Sequence, residues 1–376
     1  MEFIHIAGTN GKGSTAHYLA EILGIRHSCG LFTSPHIFSP TERFVINGQP
    51  ISQSEYDSRM KDAGKLPDEH WFGVWVRVAM DLFYENNMDY AIFETGLGGR
   101  RDPTNVIDAT MQIITPVSFD HMQDLGDTLE KIAQEKCGII KRDSVVISHP
   151  QQPEVMDVIR KTCNRMNAFL IVLDPAKIRV KKTGTDGQVF DFSFEDMRLS
   201  GVRLRSPAPI QVQNACVAAI AAKELGISQD DILEGLQKTN IVARAQIVGD
   251  LVFDAAHNPA ALHELGDTIK THFKNRNVTV LTAVMEDKDI HTMAGEIEQF
   301  ADQVICSCAA KKRGSPGKEL AKYFKNAKSM EDPAYAFEYA KQLATQKKGI
   351  LVVCGSFYLM PFVLDVSGEA QQNILV

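Results

Sequence analysis

With 376 residues, 44% of them hydrophobic, the chain can bury large cores and is long enough for two domains. Its formal charge of −7, with a pI near 5.9, argues against a broad nucleic-acid surface while leaving room for a local basic pocket around an anionic ligand. The seven cysteines form no paired CxxC pattern, no apolar run is long enough for a bilayer, and no basic region precedes the short apolar run at the start. These features lead us to expect free buried thiols in a soluble, cytoplasmic protein without membrane or nucleic-acid partners.

The first predicted element is the buried strand Phe3-Ile4-His5-Ile6, followed by Gly8-Thr9-Asn10-Gly11-Lys12-Gly13-Ser14 and a helix from about Ala16. Strand, glycine loop and helix in this order form a phosphate cradle: glycines let N–H groups approach an anion, and the helix N-terminus and Lys12 add positive charge. The bland alternative is a glycine turn. The loop departs from the usual phosphate-loop spacing, because Gly8 and Gly11 enclose two residues and Gly13 stands where a magnesium-binding hydroxyl is expected. Any metal shell must therefore draw on other parts of the chain.

Cys29–Phe32 reads as a second strand ending in the polar turn Thr33-Ser34-Pro35-His36; Glu42-Arg43, the alternating Phe44-Val45-Ile46 and a turn at Asn47-Gly48 follow. Helical spacing covers 52–63 and 70–86, with Trp71 and Trp75 expected in the core. Tyr90–Phe93 is a strand ending in Glu94 before Gly96-Leu97-Gly98-Gly99-Arg100, and Ile113-Ile114 repeats the design ahead of Asp120-His121. A carboxylate at such a strand end suits a metal, against the alternative of a solvated turn residue. Asp127 is spaced to cap a helix with Glu130 reaching back, and that helix carries Lys136 near its end. Strand–helix alternation continues through 145–147, 152–166 and 169–172; residues 178–204 read as a β-hairpin insertion turning at 185–187 and at Ser200-Gly201. Helices from about 211 and from Ser228 precede a link at 238–244, after which strands at 251–254, 278–281, 304–306 and 350–353 alternate with helices. The expectation is an α/β protein of two domains: residues 1–240, a phosphate-loop-type, mostly parallel sheet with the hairpin insertion, and residues 241–376, a Rossmann-like α/β domain. Their polar strand ends, Gly8–Ser14 and Asp254-Ala255-Ala256-His257-Asn258-Pro259, make a cleft between domains the expected place for chemistry.

Taken in order, Gly8–Thr15, Thr33–His36, Gly96–Arg100, Asp120-His121, Glu135-Lys136-Cys137-Gly138-Ile139-Ile140 and Asp254–Pro259 resemble the motifs of folylpolyglutamate synthase and dihydrofolate synthase, members of the Mur ligase superfamily. The resemblance implies an ATP-dependent ligase that adds L-glutamate to a reduced folate or dihydropteroate through an acyl phosphate. Gly8, Thr9, Asn10, Gly11, Lys12, Gly13 and Ser14 would hold the phosphates, Asn214 the base side, and Arg244 and Asp254 the nucleotide from the second domain. Lys12, Lys136 and His257 would be catalytic, and Ser34, Glu94 and His121 would hold magnesium. Lys136 would be carbamylated and hold a second magnesium; the sequence leaves open the alternative that it complements a helix dipole. Thr33, Glu42, Arg43 and Ser356 would contact substrate. The resemblance gives no expectation for a monovalent cation, and a monomer is the default. The family usually has a few dozen residues before the phosphate-loop strand, so either another edge covers this sheet or the start is shortened. Ala243 before Arg244, Arg101-Asp102-Pro103 and the residues around Val284–Asp289 also depart from its pattern, without touching a predicted phosphate or metal ligand. The competing readings are another Mur-type ligase and a degenerate nucleotide-binding paralogue.

Overall fold

The computed structural model describes residues 1–66, 69–309 and 313–366. They divide into two compact units, one comprising Met1–Lys182, Gln188–Arg205 and Ile210–Thr239, the other Thr183–Gly187, Ser206–Pro209 and the described part of Asn240–Val376.

The strands of the first unit are β1 (Glu2–Ala7), β2 (Cys29–Phe32), β3 (Phe44–Ile46), β4 (Gln49–Pro50), β5 (Tyr90–Glu94), β6 (Met111–Ile114), β7 (Val145–Ser148) and β8 (Phe169–Val172). They form one sheet in the order β4-β3-β2-β5-β1-β6-β7-β8. The run from β2 to β8 is parallel, and only β3 and β4 pair antiparallel. The short runs of Val, Ile and Phe are apolar on both faces because helices cover both faces. Phe32, Phe44, Val78, Leu82, Phe83 and Phe93 share one core cluster, and Ala7, Ile114, Ile132, Ile139, Val155 and Ile159 another. Helix Pro209–Glu224 is buried almost all round, which places its polar Gln211 and Asn214 inside the protein.

The insertion is a three-stranded antiparallel sheet of β9 (Ile178–Gly184), β10 (Gly187–Phe194) and β11 (Met197–Leu204), more than the single hairpin expected. The expected turn at Ser200-Gly201 is instead an irregularity inside β11. The register slips between Phe190 and Phe192, Gly201 has φ 68, and its N–H donates to Asp191 Oδ1. The second reversal falls at Glu195-Asp196.

The second unit carries β12 (Gln246–Val248), β13 (Leu251–Phe253), β14 (Val278–Thr282), β15 (Gln303–Cys306), β16 (Ala327–Ser329) and β17 (Ile350–Cys354), in the order β12-β13-β17-β14-β15-β16. Only β12 is antiparallel. Its core joins Val252, Leu262, Ile269, Val280, Ile297 and Val352.

Three further expectations are corrected. The helix Leu129–Lys136 is capped by Thr128, whose side chain accepts from Lys131 N, while Asp127 pairs with Lys131 Nζ at 2.7 Å. Trp71 is 56% exposed and lies outside the core. Trp75 is half-buried, donates to Tyr56 Oη and carries the Arg43 guanidinium 4.2 Å above its ring. Six cysteines are buried and free, whereas Cys308 is only partly covered. Among the described residues no helix is long and apolar enough to cross a membrane.

Candidate functional site

The predicted residues of the first unit gather at the carboxyl edge of the adjacent strands β2, β5, β1 and β6. Parallel pairing sets them level, with Phe32 opposite Phe93, Ile6 opposite Glu94 and Ala7 opposite Ile114. Gly8, Thr33-Ser34, Glu94 and the segment leading to His121 therefore leave the sheet on one side, where an open α/β sheet receives ligands.

The loop itself is shaped by close approach. A Cβ on Gly8 would lie 1.8 Å from Thr115 Oγ1, and Gly11 has φ 83, a left-handed conformation that spares only glycine a penalty. Gly11 is the cap of helix Lys12–Leu23 and contributes no side-chain cap, so the first N–H groups of that helix point outward without intrahelical acceptors. The N–H groups of Thr9 and Asn10 both donate to Pro116 O, at 2.8 and 3.3 Å. Thr9 Oγ1 donates to Ser118 O and accepts from Ser118 N, each at 3.0 Å. The loop is thus strapped to the segment that runs on to Asp120 and His121, and the N–H groups without intrahelical acceptors are those at the helix start.

Lys12 Nζ donates to Thr9 O at 3.2 Å and stands 4.0 Å from Glu94 Oε1. Glu94 is buried at the end of β5 and its Oε2 accepts from Ser34 N at 2.9 Å, so Lys12, Glu94 and Ser34 form one group. His121 follows Asp120 with φ 49, its N–H donating to Asp120 Oδ1 and its Nε2 3.8 Å from the same atom. Among the described residues no three His, Cys, Asp or Glu side chains cluster to hold a metal by themselves. A buried carboxylate and a serine beside a phosphate-type loop nevertheless fit magnesium, which takes few protein ligands and fills its shell with water and phosphate oxygens.

Lys136 is buried, and its Nζ donates to Gly8 O at 2.7 Å from behind the loop. Burial, with the positive charge of Lys12 adding to it, pushes its pKa down to about 7. It is held there by backbone packing. A Cβ on Gly99 would lie 2.7 Å from Lys136 O, one on Gly138 would meet Arg100 at 2.3 Å, and Arg100 N donates to Glu135 O. The two glycine-containing motifs at 96–100 and 135–138 are therefore two halves of one contact.

Glu42 and Arg43 shape the loop after β2. The Glu42 carboxylate accepts from Ile37 N, Phe38 N and Ser39 N, each at 2.7 Å, and Arg43 Nε donates to His36 Nδ1 at 2.9 Å. Asn214 lies under the phosphate loop, its Oδ1 2.7 Å from where a Gly11 Cβ would be.

Arg244, Asp254, His257 and Ser356 belong to the second unit, at the carboxyl ends of β13 and β17. Asp254 is held by Ala245 N and Ala256 N, both at 2.7 Å; burial raises its pKa and Arg244 opposes the rise. The Arg244 guanidinium lies 4.7 Å from the Phe357 ring centre, and the His257 ring lies 5.4 Å from the same ring. Ser356 caps the following turn by accepting from Tyr358 N at 3.1 Å.

Sequence reasoning missed two groups. Asp102 is buried and accepts from Leu97 N, Thr104 N and Thr104 Oγ1, while Thr104 Oγ1 also meets His5 Nε2 at 2.8 Å, so a buried Asp–Thr–His set supports the 96–100 loop. Burial raises the Asp102 pKa and lowers that of His5 to about 3. The second group, around His149 and Gln211, lies beneath the phosphate loop. A polar residue inside an apolar run was the only available signal for either, in His5 and Gln211.

Comparison with known proteins converges on one family. The Mur ligase middle domain matches residues 6–222, and the Mur ligase glutamate ligase domain matches residues 242–357. The dihydrofolate synthase/folylpolyglutamate synthase of Bacillus subtilis is 32% identical, over 96% of this chain and 89% of that protein. Its Escherichia coli counterpart is 30% identical, over 96% and 85%. Among solved structures, Mycobacterium tuberculosis folylpolyglutamate synthase complexed with ADP and AMPPCP superposes with a TM-score of 0.92 at 28% identity, covering 98% of this chain and 91% of that one. E. coli FolC in complex with DHPP and ADP gives 0.89 at 29%, covering 99% and 89%. The chain belongs to the Mur ligase family, within its folylpolyglutamate synthase and dihydrofolate synthase branch.

Proposed function

We propose that this chain is an ATP-dependent ligase that joins L-glutamate to folates by an amide bond. The observation that carries the reading is the group Lys12, Glu94, Ser34 and Lys136 around the Gly8–Ser14 loop, in a chain of this family. The acceptor's carboxylate attacks the γ-phosphorus of ATP, ADP leaves, and an acyl phosphate results. The glutamate amine then attacks the acyl carbon, phosphate leaves with the C–O electron pair, and the amine gives up a proton.

Gathering ATP and a carboxylate concentrates negative charge, and this chain answers with Lys12 and the N–H groups that open helix Lys12–Leu23. Ser34, Glu94 and His121 are the residues we assign to a divalent metal, which when bound would neutralise phosphate charge. A related bifunctional folylpolyglutamate synthase/dihydrofolate synthase was solved with Mn, AMPPNP and L-glutamate bound. Lys136, with its pKa near 7, is a nucleophilic amine at neutral pH. Attack on carbon dioxide would make a carbamate, release a proton and place an anion behind the loop for a second metal. The Glu42-organised loop and Thr33 are assigned to the acceptor side. Arg244 supplies positive charge at the edge of the second unit, Asp254 and His257 polar groups, and Ser356 lies in the turn we assign to glutamate. We read 1–240 and 241–376 as the two domains of this ligase.

The test is phosphate release with ATP, magnesium and L-glutamate, offering tetrahydrofolate, dihydropteroate or a muramyl peptide in turn. Release with tetrahydrofolate supports the proposal, and release with dihydropteroate as well extends it to both activities named for the relatives. Release confined to the muramyl peptide, or none at all, would reject it.

A further inference from the structure

A buried chain of polar side chains runs from the end of β7 to the phosphate loop. His149 Nε2 lies 3.0 Å from Asn214 Oδ1, Asn214 Nδ2 donates to Gln211 Oε1 at 3.2 Å, and Gln211 Nε2 donates to Ser14 Oγ at 3.2 Å. His149 is 0%, Asn214 1%, Gln211 4% and Ser14 2% exposed, so these bonds are shielded from bulk solvent. Helix Pro209–Glu224 brings Gln211 and Asn214 onto one face, three residues apart.

The chain has a direction. Asn214 presents its oxygen to the imidazole, an arrangement that requires the Nε2–H tautomer of His149 and leaves its buried Nδ1 an acceptor without a hydrogen-bond partner, and each following amide donates toward Ser14. Ser14 Oγ receives a hydrogen bond from inside the protein, and its own hydrogen is left to donate outward at the first turn of the helix. Reversing the chain would need the other imidazole tautomer and both amides turned over. Gln211 Oε1 would then take the Ser14 hydrogen, and the hydroxyl would face an anion with lone pairs. The two arrangements differ most at the point where a phosphate oxygen would sit. Neutral histidine can hold only one of them at a time, and burial keeps His149 neutral by lowering its pKa to about 4.

We propose that His149 is a positioning residue for nucleotide binding: through Asn214 and Gln211 it fixes the Ser14 hydroxyl as a donor to a phosphate oxygen. The proposal rests on reading Gly8–Ser14 as the phosphate cradle. Nothing in it requires His149 to touch the nucleotide.

His149→Phe keeps a ring of similar size and removes the Nε2–H donor. With magnesium present, calorimetric titration of ADP should show affinity weakened about 5- to 30-fold, the scale of one misdirected buried hydrogen bond. The KM for ATP should rise by a similar factor with kcat within about twofold, a split that general loosening of the fold would not give. His149→Gln, which can supply a donor from its amide, should recover most of the affinity. Gln211→Leu breaks the chain in the middle and should reproduce the His149→Phe defect, keeping the test open should His149→Phe fold poorly. Ser14→Ala should itself weaken ADP, and adding His149→Phe to it should cost nothing more. Additive losses, or full ADP affinity in folded His149→Phe beside a weakened Ser14→Ala, would overturn the role of His149 alone. Full affinity in Ser14→Ala would overturn the cradle reading with it.

Discussion

Lys136 offers a direct measurement, because its reactivity follows from where it is buried. An amine of pKa 10.5 is neutral in roughly one molecule in three thousand at pH 7. With its pKa lowered to about 7, Lys136 is neutral in about half. Only the neutral amine attacks carbon dioxide, so at neutral pH the available nucleophile rises about a thousandfold over an ordinary lysine. The assay incubates the protein with ¹³C-bicarbonate from pH 6 to 9, traps carbamates by alkylation and maps labelled peptides by mass spectrometry. Label on Lys136 should be half-maximal near pH 7 and level above pH 8, whereas ordinary surface lysines gain label through pH 9. Lys136→Arg should remove the signal. A Lys136 peptide that stays unlabelled, or climbs with the surface lysines, would refute the argument that its burial behind Gly8 prepares it for carbamylation.

The same shift fixes the sign of a stability effect. Between about pH 7 and 10.5 the unfolded chain binds one more proton at Lys136 than the folded one, so stability rises with pH across that window and is lost as pH falls toward 7. In buffers free of carbon dioxide the slope should be up to about 1.4 kcal/mol per pH unit for the native protein and absent in Lys136→Met; parallel urea-unfolding profiles for the two would contradict this. Lys12→Ala and Glu94→Gln should each lower the rate of phosphate release by about 100-fold or more, since both act on charge beside the loop; near-native rates in either would sink the site assignment. Gly8→Ala would press a methyl group into Thr115, at a cost of about 1–3 kcal/mol. A Gly8→Ala protein with native melting temperature and ADP affinity would show that the close approach is unimportant. Glu42→Ala removes the acceptor for Ile37, Phe38 and Ser39, and protease cleavage within 36–40 should accelerate by about tenfold; unchanged cleavage would mean the loop is held by other contacts.

The sheet of the first unit was legible because Phe3–Ile6, Cys29–Phe32 and Tyr90–Phe93 are short apolar runs ending in glycine or polar turns, and burial on both faces demands such runs. The edge strands Gln246–Val248 and Ala327–Ser329 were not legible, being three residues long and half-buried or exposed, with no period to read. Asp127 and Thr128 are both good caps, and only coordinates show that Asp127 turns to Lys131 Nζ and leaves the cap to Thr128. Gly201 carried a turn signal that the fold uses for a bulge. Motifs singled out 8–14, 94–100 and 135–138. They could not show that Gly99 and Gly138 permit two backbones to touch, nor that Glu42 spends its carboxylate on its own loop. The polar chain from His149 to Ser14 joins residues as much as 197 positions apart, as Gln211 is from Ser14, and no local pattern encodes it.

The paired hydrogen bonds of Thr9 with Ser118 have a thermodynamic meaning. They tie the segment we assign to phosphate to the one that ends in Asp120 and His121, so neither can shift without straining the other. Occupancy of the two becomes linked. Whatever factor a cation at the His121 end adds to nucleotide affinity, the nucleotide must return to the cation. Removing the Thr9 hydroxyl would leave both ligands able to bind and lower that shared factor, with the backbone bonds to Pro116 and the direct attraction of cation and phosphate carrying what is left of it.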